Sequence, residues 1–149
     1  MRFKLLISAL LLTFFAQSAL AQLEPFTDYD TSKELWNITT VKVDPNMSDD
    51  YLEGLKETWV ASNKVAMDLG QIESFHLCRS QLENGGDAIL FLVTKFAESS
   101  QLEPNKAEYD KFMKAWGEAN VDRTREITKN YPSMRKITGE YLVREITIK

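Results

Sequence analysis

The stretch "AILFLVTKF" (88–96) decides the fold. Side chains alternate between the two faces of a strand. Here both faces are apolar, which predicts a central strand covered on both sides. Immediately before it, "LENGGD" (82–87) is a turn signal, with two glycines that accept positive φ. Before that, "QIESFHLCRS" (71–80) reads as a second strand, and the two strands should form a hairpin.

Upstream, "WNITTVKV" (36–43) is rich in β-branched residues and stops at "DPN", so it reads as a strand ended by a turn. "MSDDYLEGLKETWVASNKVAMDLG" (47–70) then carries helix signals. Ser48 is placed as an N-cap, and Asp49 and Asp50 fall in the first turn, where the helix dipole favours them. Met47 and Leu52 have the spacing of a hydrophobic staple. Leu52, Leu55, Trp59, Val60, Val65 and Leu69 form the apolar stripe, and Gly70 closes the helix.

Downstream, "NKAEYDKFMKAWGEA" (105–119) puts Tyr109, Phe112, Met113, Trp116 and Ala119 on one helical face. A further helical piece, "VDRTREITKN" (121–130), should end at "YPS", because Pro132 lacks an amide donor and disfavours helix at Tyr131. "EYLVREITIK" (140–149) reads as the last strand. The order β-α-β-β-α-β predicts an α+β, ferredoxin-like domain: a four-stranded antiparallel sheet with helices on one face. The opposite sheet face then needs cover, and a second sheet is one way to supply it.

The first residues, "MRFKLLISALLLTFFAQSALAQ", have the three parts of a signal peptide. Arg2 and Lys4 precede a short apolar run, and Ala19 and Ala21 bracket a cleavage site. Residues 1–21 are therefore expected to be removed on export, to a bacterial periplasm in the simplest case. Residues 22–35 read as an extended lead-in and 36–149 as one domain, with no repeat. The net charge of −4 becomes more negative without Arg2 and Lys4. An acidic chain with no basic cluster speaks against nucleic acid and anionic membrane surfaces as partners. No later segment is apolar enough to cross a membrane.

"SFHLCRS" (74–80) holds the only histidine and the only cysteine. On a strand, His76 and Cys78 share a face with Ser74, opposite Phe75 and Leu77, which suit the helix-packed side. A zinc or copper centre needs about three or four ligands, and no other His or Cys exists, so neither metal nor cofactor is expected. Cys78 is expected to be buried or paired with another molecule. Histidine is the side chain suited to acid/base work near neutral pH, and His76 is the one candidate. Trp59 and Trp116 fall on helix apolar faces, where they pack a core or line a pocket with Tyr109; Tyr131 and Tyr141 are expected near its rim. Arg144 lies between Leu142 and Ile146, on an apolar strand face. It should pair with Glu73 or Glu145, or bind a ligand carboxylate. No phosphate loop, nucleophile elbow or HExxH motif is present.

From "WNITTVKVDPNMSDDYLEGLKETW" through "GQIESFHLC" to "EYLVREITI", the chain resembles the dimeric α/β-barrel superfamily, and within it exported bacterial members with no assigned activity. The resemblance implies a homodimer in which two sheets pair face to face with the helices outside. Relatives include cofactor-independent and haem-degrading monooxygenases, chlorite-dismutase relatives and polyketide cyclases. Asn37 matches the asparagine of the haem-degrading members. Their helix-borne histidine has no counterpart, and neither has the histidine of the cyclases. Two function readings follow. One is an exported homodimer binding a small aromatic or apolar molecule through Trp59, Tyr109, Trp116, Arg144 and Asn37. The other is a cofactor-independent monooxygenase or isomerase acting on an aromatic or quinone-like compound, with His76 as acid/base.

Overall fold

The computed structural model describes residues 22–81 and 88–149. The expected signal peptide (1–21) and the "LENGGD" turn (82–87) lie outside the described residues. In chain order the elements are β1 (Tyr29–Thr31), β2 (Leu35–Val43), α1 (Ser48–Leu55), a π-helical turn (Lys56–Val60), α2 (Ala61–Asp68), β3 (Ser74–Arg79) and β4 (Ala88–Phe96). A 3-10 turn (Ser99–Leu102) follows, then α3 (Lys106–Trp116), α4 (Glu118–Thr128), α5 (Tyr131–Met134), β5 (Arg135–Val143) and β6 (Ile146–Ile148). The main sheet runs β3-β4-β2-β5, antiparallel at every seam. That is the ferredoxin-like arrangement, α+β, with β3 and β4 as the expected hairpin.

Alternation along the strands sorts the sheet into two faces. Val41 and Val43 of β2 and Leu90 and Leu92 of β4 point to the helices and pack with Tyr51, Leu55 and Tyr131 in the buried core. Gly54 makes this approach possible. A Cβ there would stand 3.0 Å from the Tyr131 ring and 3.1 Å from the Ile127 side chain. Gly117, at φ 78°, separates α3 from α4 in a conformation that side-chain-bearing residues rarely adopt. Gly70, at φ 71°, follows the first helical unit as expected.

Along β5 the parity changes once. Thr40 pairs with Gly139 but Val41 pairs with Ile137, so Thr138 is an extra residue in a β-bulge. Its hydroxyl meets that of Thr40 at 2.8 Å. Arg135 and Ile137 thereby share the helix-side face with Val43 and Val41, while Tyr141 and Val143 share the opposite face with Ile38 and Trp36.

Several expectations need correction. Ser48 is the first residue of α1 rather than its cap. Met47 occupies the cap position and no side chain caps the helix. The buried stripe runs through Tyr51, Leu55 and Thr58, so Tyr51 was missed and Leu52 is only half-buried. Tyr reads as an amphipathic residue and Thr as polar, which hid that face. Ala119 lies beyond the Gly117 break and is exposed. Pro132 does not stop a helix at Tyr131: it sits in the first turn of α5, where its missing amide donor is harmless. The last strand starts at Arg135, not at 140, and leaves the main sheet after Val143. Its continuation β6 pairs with β1, so the expected lead-in carries a strand. β4 is central, but within one chain only its helix-side face is covered.

Candidate functional site

The helices do not close fully on the sheet. Between them lies a cavity of about 720 Å³, within the range of small-molecule sites. Thr39 and Val41 of β2, Leu92 of β4 and Ile137 of β5 form its sheet side. Tyr109, Phe112, Met113 and Trp116 of α3, Val121, Thr124 and Thr128 of α4, and Tyr131 of α5 complete it together with Thr58, Trp59 and Tyr51. Aromatic contacts order these walls. Phe112 stacks on Trp116 at 6.2 Å between ring centroids. Trp59 meets Phe75 edge-on at 5.5 Å, and Tyr51 meets Tyr131 edge-on at 4.9 Å.

The π-helical turn is what presents Thr58 and Trp59. Such turns shift the backbone hydrogen bonds by one residue and leave local groups to other partners. The Trp59 carbonyl accepts from Ser62 Oγ at 3.1 Å and from Asn63 Nδ2 at 2.7 Å. Thr58 Oγ1 donates to the Gly54 carbonyl at 2.8 Å and lies 2.7 Å from the Tyr131 hydroxyl. With the Thr58 proton committed to Gly54, Tyr131 donates to Thr58.

Arg135 is the one charged side chain among the residues lining the cavity. Its guanidinium stands 5.7 Å over the Tyr131 ring and acts electrostatically on the Tyr51 phenol. Burial raises the Tyr51 phenol above its ordinary value, with Arg135 acting in the opposite direction. Burial likewise raises Tyr131, assisted by the neighbouring Tyr51 and Glu57 and opposed by Arg135. A raised phenol keeps its proton longer in the folded than in the unfolded chain. The stability it contributes is complete below about pH 10, the ordinary phenol value, and is lost as pH rises through the raised folded values. Urea midpoints should therefore hold level up to about pH 10 and fall above it, with a shallower fall in Tyr131→Phe. A midpoint that stays level or rises above that pH in the parent protein would contradict this.

The open face of the sheet is the second feature. Ile38 of β2 pairs with Val93 of β4 and Tyr141 of β5, and Val93 pairs in turn with His76 of β3. Phe91 pairs with Cys78. Tyr141 is 54% and Val143 39% exposed, so this apolar surface is uncovered within one chain. Lys95 marks its rim: Nζ lies 2.8 Å from Glu34 and 3.1 Å from Glu73, and 5.4 Å from the Trp36 ring centroid.

The sequence-derived site residues divide between these places. Trp59, Tyr109 and Trp116 come together at the cavity, with Trp116 buried and Tyr109 exposed at its edge. His76 does not join them. It is exposed on the edge strand β3, on the other side of the sheet. Cys78 shares that open face and is exposed rather than buried. Tyr141 is also on that face, not at the cavity rim, whereas Tyr131 is a buried wall of the cavity. Asn37 lies on the helix-side face, paired with Thr94 and Leu142, outside the cavity lining.

Arg144 is in the break between β5 and β6 and pairs with neither Glu73 nor Glu145. It donates to the Ser32 and Lys33 carbonyls at 2.9 and 2.7 Å, tying the C-terminal segment to the β1–β2 connection. The arginine that reaches the cavity is Arg135. Sequence reasoning missed it because 131–139 carried no strand alternation; the bulge at Thr138 breaks the period. Among the described residues no group of three or more His, Cys, Asp or Glu side chains is placed to hold a metal ion. No described helix is long and apolar enough to cross a membrane.

No protein-family model matches the chain, and no curated protein matches it. Among solved structures, the crystal structure of a dimeric ferredoxin-like protein from an uncultured marine organism is similar at 9% identity. The likeness covers 79% of this chain and 90% of that one, with a TM-score of 0.45.

Proposed function

We propose that this protein is an exported homodimer that binds a small organic molecule with an aromatic or apolar body. The cavity between helices and sheet is the binding site. The observation that carries this reading is the lining: Trp59, Phe112, Trp116 and Tyr131 surround a space of about 720 Å³. A space of this size, walled by rings with a few polar groups, suits a ligand.

The homodimer reading rests on the open sheet face. Ile38, Phe91, Val93, Tyr141 and Val143 form an apolar surface with a polar rim at Lys95. A second copy brings the same surface, and an isologous contact is self-complementary by symmetry. Pairing of the two faces would give a dimeric α/β barrel with the helices, and both cavities, outside. Export rests on the residue pattern of 1–21.

The other reading, an oxygenase or isomerase with His76 as acid/base, requires the histidine to touch the substrate. Within one chain the sheet stands between His76 and the aromatic cavity. His76→Ala is therefore expected to change the affinity for a naphthalene probe by less than about twofold, as for distant sites. Trp116→Leu should weaken it about tenfold or more. A large loss in His76→Ala with none in Trp116→Leu would sink the cavity reading. Native mass spectrometry of the purified protein tests subunit count and retained ligand together. An expected spectrum shows a dimer with an added organic mass, and an empty monomer would overturn both parts.

A further inference from the structure

The cavity has a chemical sign. Arg135 is the only charged residue lining it, and no carboxylate lines it, although the chain as a whole is acidic. Among the described residues, Arg135 has no salt-bridge partner. Two buried side-chain atoms in the described residues lack a hydrogen-bond partner, Thr124 Oγ1 and Arg135 Nε. Both belong to residues that line this cavity. Buried polar groups in folded proteins are almost always paired, and an unpaired donor beside a cationic group is costly. Tyr131 gives Arg135 a ring face, which does not neutralise its charge.

We infer that the ligand is an organic carboxylate, with an aromatic or alicyclic body among the cavity's rings and its carboxylate held by the Arg135 guanidinium. A carboxylate accepts several hydrogen bonds and matches the guanidinium fork. A neutral aromatic molecule would satisfy the walls and leave the charge of the guanidinium unanswered. The inference rests on the cavity being a binding site and adds the charge of what enters it.

The test compares two probes of the same shape, 1-naphthoate and 1-naphthalenemethanol, by calorimetric titration of the purified protein at neutral pH. The carboxylate should bind about tenfold more tightly or better, the scale of a charge-assisted contact. Arg135→Gln should bring the two affinities within about twofold of each other. Equal affinities in the parent protein, or a preference that survives Arg135→Gln, would overturn the carboxylate inference while the cavity reading stands. Binding of neither probe would overturn both. Should Arg135→Gln fail to fold, the parent comparison and Arg135→Lys, which keeps the charge and loses the fork, still decide the question.

Discussion

If two copies pair through the open sheet face as proposed, Val93→Asp should convert the dimer to monomer. Val93 stands at the middle of the open sheet face, between Ile38 and His76. A face-to-face dimer would bury it twice, once from each copy. A carboxylate placed there loses its hydration against a second apolar sheet, at a few kcal/mol per site even with His76 beside it. With two sites per interface the dissociation constant should rise on the order of 1,000-fold. Sedimentation velocity over a micromolar concentration range reads this directly. Tyr141→Asp, at a position already 54% exposed in the single chain, is the companion variant. It should weaken the dimer without disturbing the monomer's core. If both variants sediment like the parent, the apolar face is not the interface. Circular dichroism should show the sheet intact in each case.

Tyr131→Ala should cost about 3–5 kcal/mol of stability, as for other buried aromatic truncations. For a domain of this size that is roughly 10–20 °C in Tm. The ring is 7% exposed. It packs edge-on against Tyr51 at 4.9 Å, lies under Arg135, and abuts the position where Gly54 lacks a Cβ. Tyr131→Phe removes only the hydroxyl. Thr58 keeps its bond to the Gly54 carbonyl, so the loss should be about 1 kcal/mol. Thermal unfolding of the two variants separates ring from hydroxyl. Equal losses in both would mean that the hydrogen bond, not the packing, holds α5 in place.

Both experiments probe the two faces of one sheet, and the faces were unequally legible in the sequence. "AILFLVTKF" named the central strand with its bounds, because a run apolar on both sides has few other places to sit. Alternation in "SFHLCRS" put His76 and Cys78 opposite Phe75 and Leu77. The structure keeps that division. The stripe Tyr109, Phe112, Met113 and Trp116 was readable from spacing alone, and all four line the cavity.

What the sequence did not carry depends on contacts between distant segments. A strand's period is strictly two, so a single extra residue exchanges its faces. Thr138 is that residue, and only its pairing with β2 reveals it. The bulge sends Arg135 to the cavity and Tyr141 to the open face, whereas Arg144, the arginine favoured by local pattern, ends on backbone carbonyls outside the sheet. The buried helix stripe runs through Tyr51 and Thr58 because Tyr131 packs against it from the far end of the chain. Composition and periodicity are local, and they determined the main strands and long helices, their order and the ferredoxin-like class, but not β1, α5 or the break between β5 and β6. Register, bulges and the separation of His76 from the aromatic cavity arise from how strands pair across the chain, and only the tertiary structure decided them.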